Sequence, residues 1–147
     1  MGLTEDLGRG RVGVDTAVFI YWIEEHPQFL QIIDPLFQEV DAGRREVVTS
    51  ALTLLELLVA PYRAGDLESA SRYERLLTRS RGLSLVDISR EQLRDAAKLR
   101  AAFAVRASDA LQLAAALGTG CTAFLTNGRR LPRIAGIEVV QLADYID

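Results

Sequence analysis

Five short apolar segments, separated by longer segments with helical periodicity, constrain the fold of this chain most strongly. Strands are predicted at 11–15, 46–50, 83–87, 123–126 and 137–140. Parallel neighbouring strands need crossover connections of a dozen or more residues, which helices usually supply. The sequence therefore predicts an α/β fold, a three-layer α/β/α sandwich with a mainly parallel central sheet.

The segments between the strands carry helix signals of their own. Ser50 is expected to cap a leucine-rich helix in a region bounded by Pro61 and Gly65. Residues 89–92 show a capping-box pattern that opens a helix to about Phe103. The other predicted helices cover 16–25, 28–42, 66–81 and 108–117. Helices on this scale can cover both faces of the sheet.

Length and composition exclude several classes of protein. With 147 residues, of which 49% are hydrophobic, the chain is expected to form a single domain over 1–147. No apolar run reaches the roughly 18 residues that a membrane span needs. The acidic N-terminal residues do not resemble a secretory signal, and the single cysteine, Cys121, cannot form an internal disulfide. The expected location is the cytoplasm, with no membrane contact.

Charge and histidine content narrow the possible chemistry. A formal net charge of -3 argues against binding nucleic acid through bulk charge, so any such contact must be local. Among the 17 basic residues only Lys98 is a lysine, and arginine suits bidentate contact with phosphate. His26 is the only histidine, which excludes a histidine-based triad and a His/Cys zinc site.

Three carboxylates stand out by position. Asp15 ends the first strand, where helix capping and a functional role are equally good interpretations. Glu56 has apolar neighbours on its helix, which favours function over a solvated edge. Asp109 lies in the first turn of an apolar helix, where a favourable interaction with the helix dipole would explain it alone.

As a set, these acids suggest a metal site. Ligand crevices of open α/β sheets lie beyond the carboxyl ends of the strands. Clustered carboxylates repel one another unless cations lie among them, and hard oxygen ligands suit Mg²⁺ or Mn²⁺. A metal held in this way can activate water and bind phosphate oxygens.

Four sequence blocks resemble the motifs of PIN domains, with the VapC-like toxin branch the most similar. The blocks cover 12–16, 49–56, 107–114 and 123–131, in family order along nearly the whole chain. The resemblance implies a Mg²⁺- or Mn²⁺-dependent endoribonuclease that hydrolyses RNA. Asp15, Glu56 and Asp109 would be catalytic metal ligands and Thr126 a supporting catalytic hydroxyl. It also implies a small antitoxin partner and a homodimer.

The last block departs from the family pattern. A further aspartate usually follows the Thr-Asn-like pair, and here that position is Gly128. Its absence would weaken a second metal, leave one metal, or mark a chain that no longer cleaves RNA. Asn127 could supply an oxygen ligand, although a neutral amide attracts a dication less than a carboxylate does. Asn127-Gly128 is also a strong turn pair. If the turn needs a positive φ at Gly128, a side chain at this position would be strained.

Arginines beyond the last block are candidates for substrate contact. Arg129, Arg130 and Arg133 could approach the RNA backbone, or each could simply be a solvated surface residue. Two other functions stay open. One is an interaction module that has kept the fold but lost cleavage, which Gly128 favours. The other, an aspartyl-phosphate phosphotransferase, is disfavoured because Asp15-Thr16-Ala17 lacks a second aspartate.

Overall fold

The computed structural model describes residues 2–128 and 130–146. The helices are α1 to α7, followed by one C-terminal 3₁₀ helix. The strands are β1 to β5. In chain order the elements are α1 Leu3–Asp6, β1 Val12–Val14, α2 Thr16–Ile23, α3 Leu30–Asp41, β2 Val47–Ser50, α4 Leu52–Arg63, α5 Leu67–Arg79, β3 Leu83–Val86, α6 Arg90–Ala102, α7 Ala107–Gly118, β4 Ala123–Thr126, β5 Glu138–Gln141 and the 3₁₀ helix Leu142–Tyr145.

All five strands are parallel, in the order β3-β2-β1-β4-β5. From β1 the chain builds the sheet outward through β2 and β3, and later returns to add β4 and β5 on the other side of β1. The boundary between β1 and β4 is therefore the point where strand order reverses. In open α/β sheets, ligands bind beyond the carboxyl ends of the strands at such a point.

Alternate residues of the strands enter different cores, because successive side chains of a strand point to opposite faces. Val14 and Leu125 lie in the core that includes side chains of α2 and α3. Phe124 lies in the other core, which includes side chains of α7. A Cβ added at Gly13 would stand 2.6 Å from Cβ of Ala116, so this glycine allows α7 to pack closely on β1. The predicted α/β/α sandwich is confirmed.

Several helix ends differ from the prediction. The leucine-rich helix α4 continues through Pro61, whose side chain is buried, to Arg63. Near a helix C-terminus a proline need not end the helix, and the chain turns at Gly65, where φ is +69°. Ser50 Oγ accepts a hydrogen bond from the Leu52 amide (3.2 Å), although Ala51 holds the N-cap position.

The predicted cap of α6 is confirmed, since Ser89 Oγ accepts from the Gln92 amide at 3.1 Å. The short helix α1 and the C-terminal 3₁₀ helix were not predicted. In the part of the chain that the structure describes, every helix is too short or too polar to cross a membrane.

Candidate active site

Asp15 and Thr126 meet where strand order reverses. Asp15 follows β1, Thr126 ends β4, and the paired strands bring together two residues 111 positions apart in sequence. The Thr126 hydroxyl donates a hydrogen bond to Asp15 Oδ2, and both residues are buried. Asp15 holds the N-cap position of α2, but its side chain makes no capping hydrogen bond to the described helix. The Val18 amide, in the first turn of α2, still lowers the pKa of this carboxylate, so Asp15 acts on the helix N-terminus without a capping hydrogen bond.

The other oxygen of Asp15 is buried and unsatisfied. Oδ1 has no hydrogen-bond partner among residues 2–128 and 130–146. The pKa of Asp15 is raised to about 6, mainly by burial and to a smaller extent by the negative charge of Asp109. The Thr126 hydroxyl and the amides of Val18 and Asn127 act in the opposite direction, but do not offset burial. A buried oxygen of this kind favours a proton or a cation.

Asp109 lies in the first turn of α7 and is half-buried. The N-cap of α7 is Arg106, which makes no side-chain cap to the described residues, so the first-turn acid meets the positive end of the helix dipole. Its charge also reaches Asp15. The structure thus brings two of the three predicted acids into electrostatic contact.

Glu56 is placed differently from the other two acids. It is exposed on α4, beside Leu55 and Val59, which are themselves 64% and 41% exposed. The prediction that apolar neighbours leave little room for a solvated face at Glu56 is therefore wrong, because Leu55 and Val59 face solvent too. Glu56 Oε1 nevertheless accepts a hydrogen bond from the Thr16 hydroxyl at 2.7 Å, which ties it to the residue after Asp15.

A buried polar network beneath these acids was missed in the sequence. Thr16 contacts Thr53 (3.0 Å between hydroxyl oxygens), and Gln112 Nε2 donates to Thr53 Oγ1 at 2.9 Å. Gln112 Oε1 accepts from the Ser50 amide at 3.1 Å. The network joins β2, α2, α4 and α7, so it fixes the elements that carry all three acids. A glutamine in an apolar helix, three residues after Asp109, was the available signal.

The loop after β4 lies against the Asp15 pair. The Asn127 amide group donates to the Tyr21 hydroxyl at 3.1 Å, and its Oδ1 is buried with no partner in the described chain. The Gly128 amide donates to Thr126 Oγ1 at 3.2 Å. Gly128 is not among the glycines with positive φ, and an added Cβ would meet only Thr126 Oγ1, at 3.7 Å. A side chain at position 128 would therefore not be strained by a positive φ.

The arginines proposed for substrate contact are not equivalent. Arg130 forms an ion pair of 2.8 Å with Asp144, which raises the pKa of the guanidinium and lowers that of the carboxyl. Arg133 is exposed. Arg129 lies outside the described residues. The Arg130 side chain is 69% exposed, but part of its charge is already balanced by Asp144.

Residues 12–137 match the PIN domain family. The chain belongs to this family. Its fold is similar to that of two solved toxin-antitoxin assemblies. One is VapBC2 from Rickettsia felis, bound to a DNA fragment from its promoter (TM-score 0.67, 18% identity, 89% of this chain and 98% of that chain). The other is a complex from Klebsiella pneumoniae (TM-score 0.59, 17% identity, 90% and 97%). No curated protein gives a significant match.

In this PIN domain the acids do not form a complete three-carboxylate cage. Across residues 2–128 and 130–146, no group of three or more histidine, cysteine, aspartate or glutamate side chains is arranged to hold a metal ion. Asp15 supplies a buried free oxygen and Asp109 a nearby charge, whereas Glu56 is bound to Thr16. Carboxylate oxygens suit a hard divalent cation, and Asp15 Oδ1 is a buried oxygen of this type with no partner in the described chain.

Proposed function

We propose that this PIN domain is a divalent-metal-dependent endoribonuclease and the toxin of a toxin-antitoxin pair. The observation that supports this most is the buried, unsatisfied Oδ1 of Asp15 beside the charge of Asp109. A fold built only for stability gains nothing from a buried carboxylate oxygen that lacks a partner in the described chain, because buried charge is costly unless it is compensated.

Mg²⁺ or Mn²⁺ would supply the compensating charge. Asp15 and Asp109 would hold the ion, and Glu56 would join them by releasing the Thr16 hydroxyl. When bound, such an ion activates water and stabilises charge on a phosphate. Carboxylate oxygen is the ligand type that these cations prefer, and the absence of an aspartate at position 128 fits one ion better than two.

The protein's own residues would orient the reaction. The Thr126 hydroxyl holds Asp15 Oδ2, which leaves Oδ1 as the oxygen directed to the ligand. Thr16 holds Glu56, and Gln112 anchors the network beneath them, so the acids lie on buried supports. Preorganised charge of this kind lowers the barrier because little reorganisation is needed during the reaction. Asn127 and the arginines Arg129 and Arg130 would contact the RNA.

Partners follow from the family and the fold neighbours. Both solved neighbours are toxin-antitoxin complexes, which supports an antitoxin as the partner of this chain. The antitoxin would be a small protein, and we further propose that the 1–147 chain acts as a single domain, forms a homodimer and works in the cytoplasm.

The test is an RNA cleavage assay with purified protein in Mg²⁺ and in EDTA, run in parallel with Asp15→Asn. Cleavage only by the unsubstituted protein in Mg²⁺ would support the proposal. Glu74→Gln, an exposed acid on α5, is the matched control and should leave cleavage unchanged. Equal cleavage in EDTA, or full activity of a folded Asp15→Asn protein, would overturn the metal-dependent mechanism.

A second candidate is a PIN-fold interaction module with little or no cleavage. Gly128 at the position of the usual further acid, and the incomplete acid cluster in the described chain, favour it. It predicts antitoxin binding without any Mg²⁺-dependent cleavage. Calorimetry with Mg²⁺ separates the two functions, because a module without a metal site gives no binding heat at Asp15.

A further inference from the structure

A basic cavity lies at the amino ends of the strands, opposite the acids. Arg11 immediately precedes β1, Arg44 and Arg45 precede β2, and Arg9 enters from the loop after α1. These four arginines line a cavity of about 410 Å³, on whose wall Glu46 is the one acidic residue within the described chain. In a protein of net charge -3, this is a strong local concentration of positive charge.

Buried contacts fix the two walls of the cavity. The Arg45 side chain is only 5% exposed and pairs with Glu39 at 3.0 Å. It also donates to the Gly10 carbonyl at 3.1 Å and to the Thr4 carbonyl at 3.3 Å, which joins the loop before β1 to the loop before β2. The Arg11 guanidinium donates to the Thr119 carbonyl and pairs weakly with Glu46, at 3.4 Å.

Two further guanidinium groups are left for a ligand. Arg9 and Arg44 are exposed and line the cavity, yet neither side chain has a hydrogen-bond or ion-pair partner among residues 2–128 and 130–146. The opposing acids are already used, since Glu39 pairs with Arg45 and Glu46 with Arg11. The uncompensated charge of the cavity therefore belongs to Arg9 and Arg44.

The chemistry of the lining favours a phosphodiester backbone over a single small anion. Small phosphate sites commonly use a nest of free backbone amides, but the amides of Gly43, Arg44 and Gly120 already donate to carbonyl oxygens. No aromatic residue lines this cavity in the described chain, so bases have nothing to stack on. Exposed arginine forks with no stacking platform suit contact with successive phosphates and carry no sequence preference.

We propose that this cavity is a second RNA-binding site. It binds the phosphate backbone of an RNA strand at a point distant from the acidic site. That the strand is RNA rests on the proposed function. Arg11 and Asp15 are separated only by β1, so the two sites lie roughly 13 Å apart along the strand direction. A strand longer than a few nucleotides could occupy both, and the basic cavity would retain RNA irrespective of the sequence cut at the acids.

The test is binding without cleavage. Fluorescence anisotropy with a labelled 20-nucleotide oligouridine is measured in EDTA, from 50 to 200 mM salt, for the unsubstituted protein and for Arg9→Gln/Arg44→Gln. We expect the variant to bind roughly fivefold to tenfold more weakly at 50 mM salt. Its log-log salt slope should be shallower by about 1.4, since each phosphate neutralised on a single strand contributes about 0.7.

Arg72→Gln/Arg75→Gln is the matched control, because it removes the same charge from exposed positions on α5. Equal losses in the two variants would overturn the proposal in favour of net charge alone. Inorganic triphosphate, titrated as a competitor, should displace RNA only weakly; complete displacement at micromolar concentration would identify a small-anion site instead. Circular dichroism melts and the single variant Arg44→Gln check that any loss is not unfolding.

The outcome is separable from that of the proposed function. If Arg9→Gln/Arg44→Gln loses RNA binding and the unsubstituted protein does not cleave RNA in Mg²⁺, the proposed RNA site is supported and the nuclease function is rejected. If the unsubstituted protein cleaves RNA in Mg²⁺ and the variant binds RNA equally well, the nuclease function is supported and the proposed RNA site at the cavity is rejected.

Discussion

The two ends of the parallel sheet carry opposite charge and hold it in different ways. At the carboxyl end, Asp15 is buried, its Oδ1 lacks a partner in the described chain, and its pKa is raised to about 6. At the amino end, Arg45 is buried but fully engaged, and Arg11 is half-exposed and paired. Within the described chain, one end leaves an oxygen of a buried acid without a partner, and the other pairs its buried arginine.

This difference separates function from stability. Uncompensated buried charge costs folding free energy, so it persists where a ligand uses it. Paired or solvated charge costs little, and can attract ligands without affecting the fold. We therefore expect substitutions at the carboxyl end to change activity and stability strongly, and those at exposed positions of the amino end to change stability little.

The largest expected effect is on activity. Asp109→Asn should lower Mg²⁺-dependent RNA cleavage at least about 100-fold, the scale on which single electrostatic groups act in hydrolytic sites. Its melting temperature without metal should be equal or higher, because a charge that repels Asp15 is removed. Cleavage assays and thermal melts measure the two effects. If the variant does not fold, the role of Asp109 is to stabilise the N-terminus of α7 and not to bind metal.

The next effect is on stability. Gln112→Leu should lower the free energy of unfolding by about 3 kcal/mol, because the Ser50 amide and Thr53 hydroxyl lose their buried partner. Urea denaturation measures it. Gln38→Leu, the same change at an exposed position of α3, should cost less than about 1 kcal/mol. Equal costs for the two variants would show that the network does not stabilise the carboxyl end.

The raised pKa of Asp15 predicts a pH dependence. The folded state binds this proton more tightly than the unfolded state, in which the pKa has its ordinary value near 3.8. Without metal, stability should therefore rise by about 2 to 3 kcal/mol as pH falls from 7 to 4, and this gain should be lost again as pH rises through about 6. Urea denaturation in EDTA at each pH measures it.

Asp15→Asn should remove that contribution and be more stable than the unsubstituted protein at pH 7. Glu74→Gln, an exposed control, should keep the pH dependence. Identical pH profiles for the Asp15→Asn and unsubstituted proteins would place the titration elsewhere in the chain.

A smaller effect, on metal affinity, is expected at position 128, where the sequence departs from the family pattern. Gly128→Asp should tighten Mg²⁺ or Mn²⁺ binding by about tenfold, since it adds a carboxylate beside Thr126, and φ imposes no strain there. Calorimetric metal titration measures it, with Gly118→Asp at the far end of α7 as control. Unchanged affinity in a folded variant would show that position 128 does not face the acids.

The smallest effect belongs to the amino end. Arg11→Gln breaks an ion pair of 3.4 Å whose side chains are 40% and 61% exposed, and should cost less than about 1 kcal/mol of stability. Urea denaturation at low and high salt checks it. A cost above about 2 kcal/mol would contradict the comparison, because the amino end would then depend on its charges for folding.

The sequence by itself determined the alternation of strands and helices and the position of Asp15 at a strand end. These follow from local apolar periodicity and from capping residues such as Ser89, which involve neighbours along the chain. The carboxylate types also led to the prediction of a hard divalent cation. Strand ends differ from the predicted ones by at most one residue, because hydrogen-bonded partners set them.

Only the tertiary structure decided which of these residues meet. The order β3-β2-β1-β4-β5 places Thr126 on Asp15, and helical packing turns Glu56 toward Thr16 while Leu55 and Val59 face solvent. Packing also joins Gln112 to Thr53 and brings Arg9 to Arg44. Periodicity reports which side of an element is apolar. Which elements become neighbours depends on long-range burial and hydrogen bonding, which no short stretch of sequence contains.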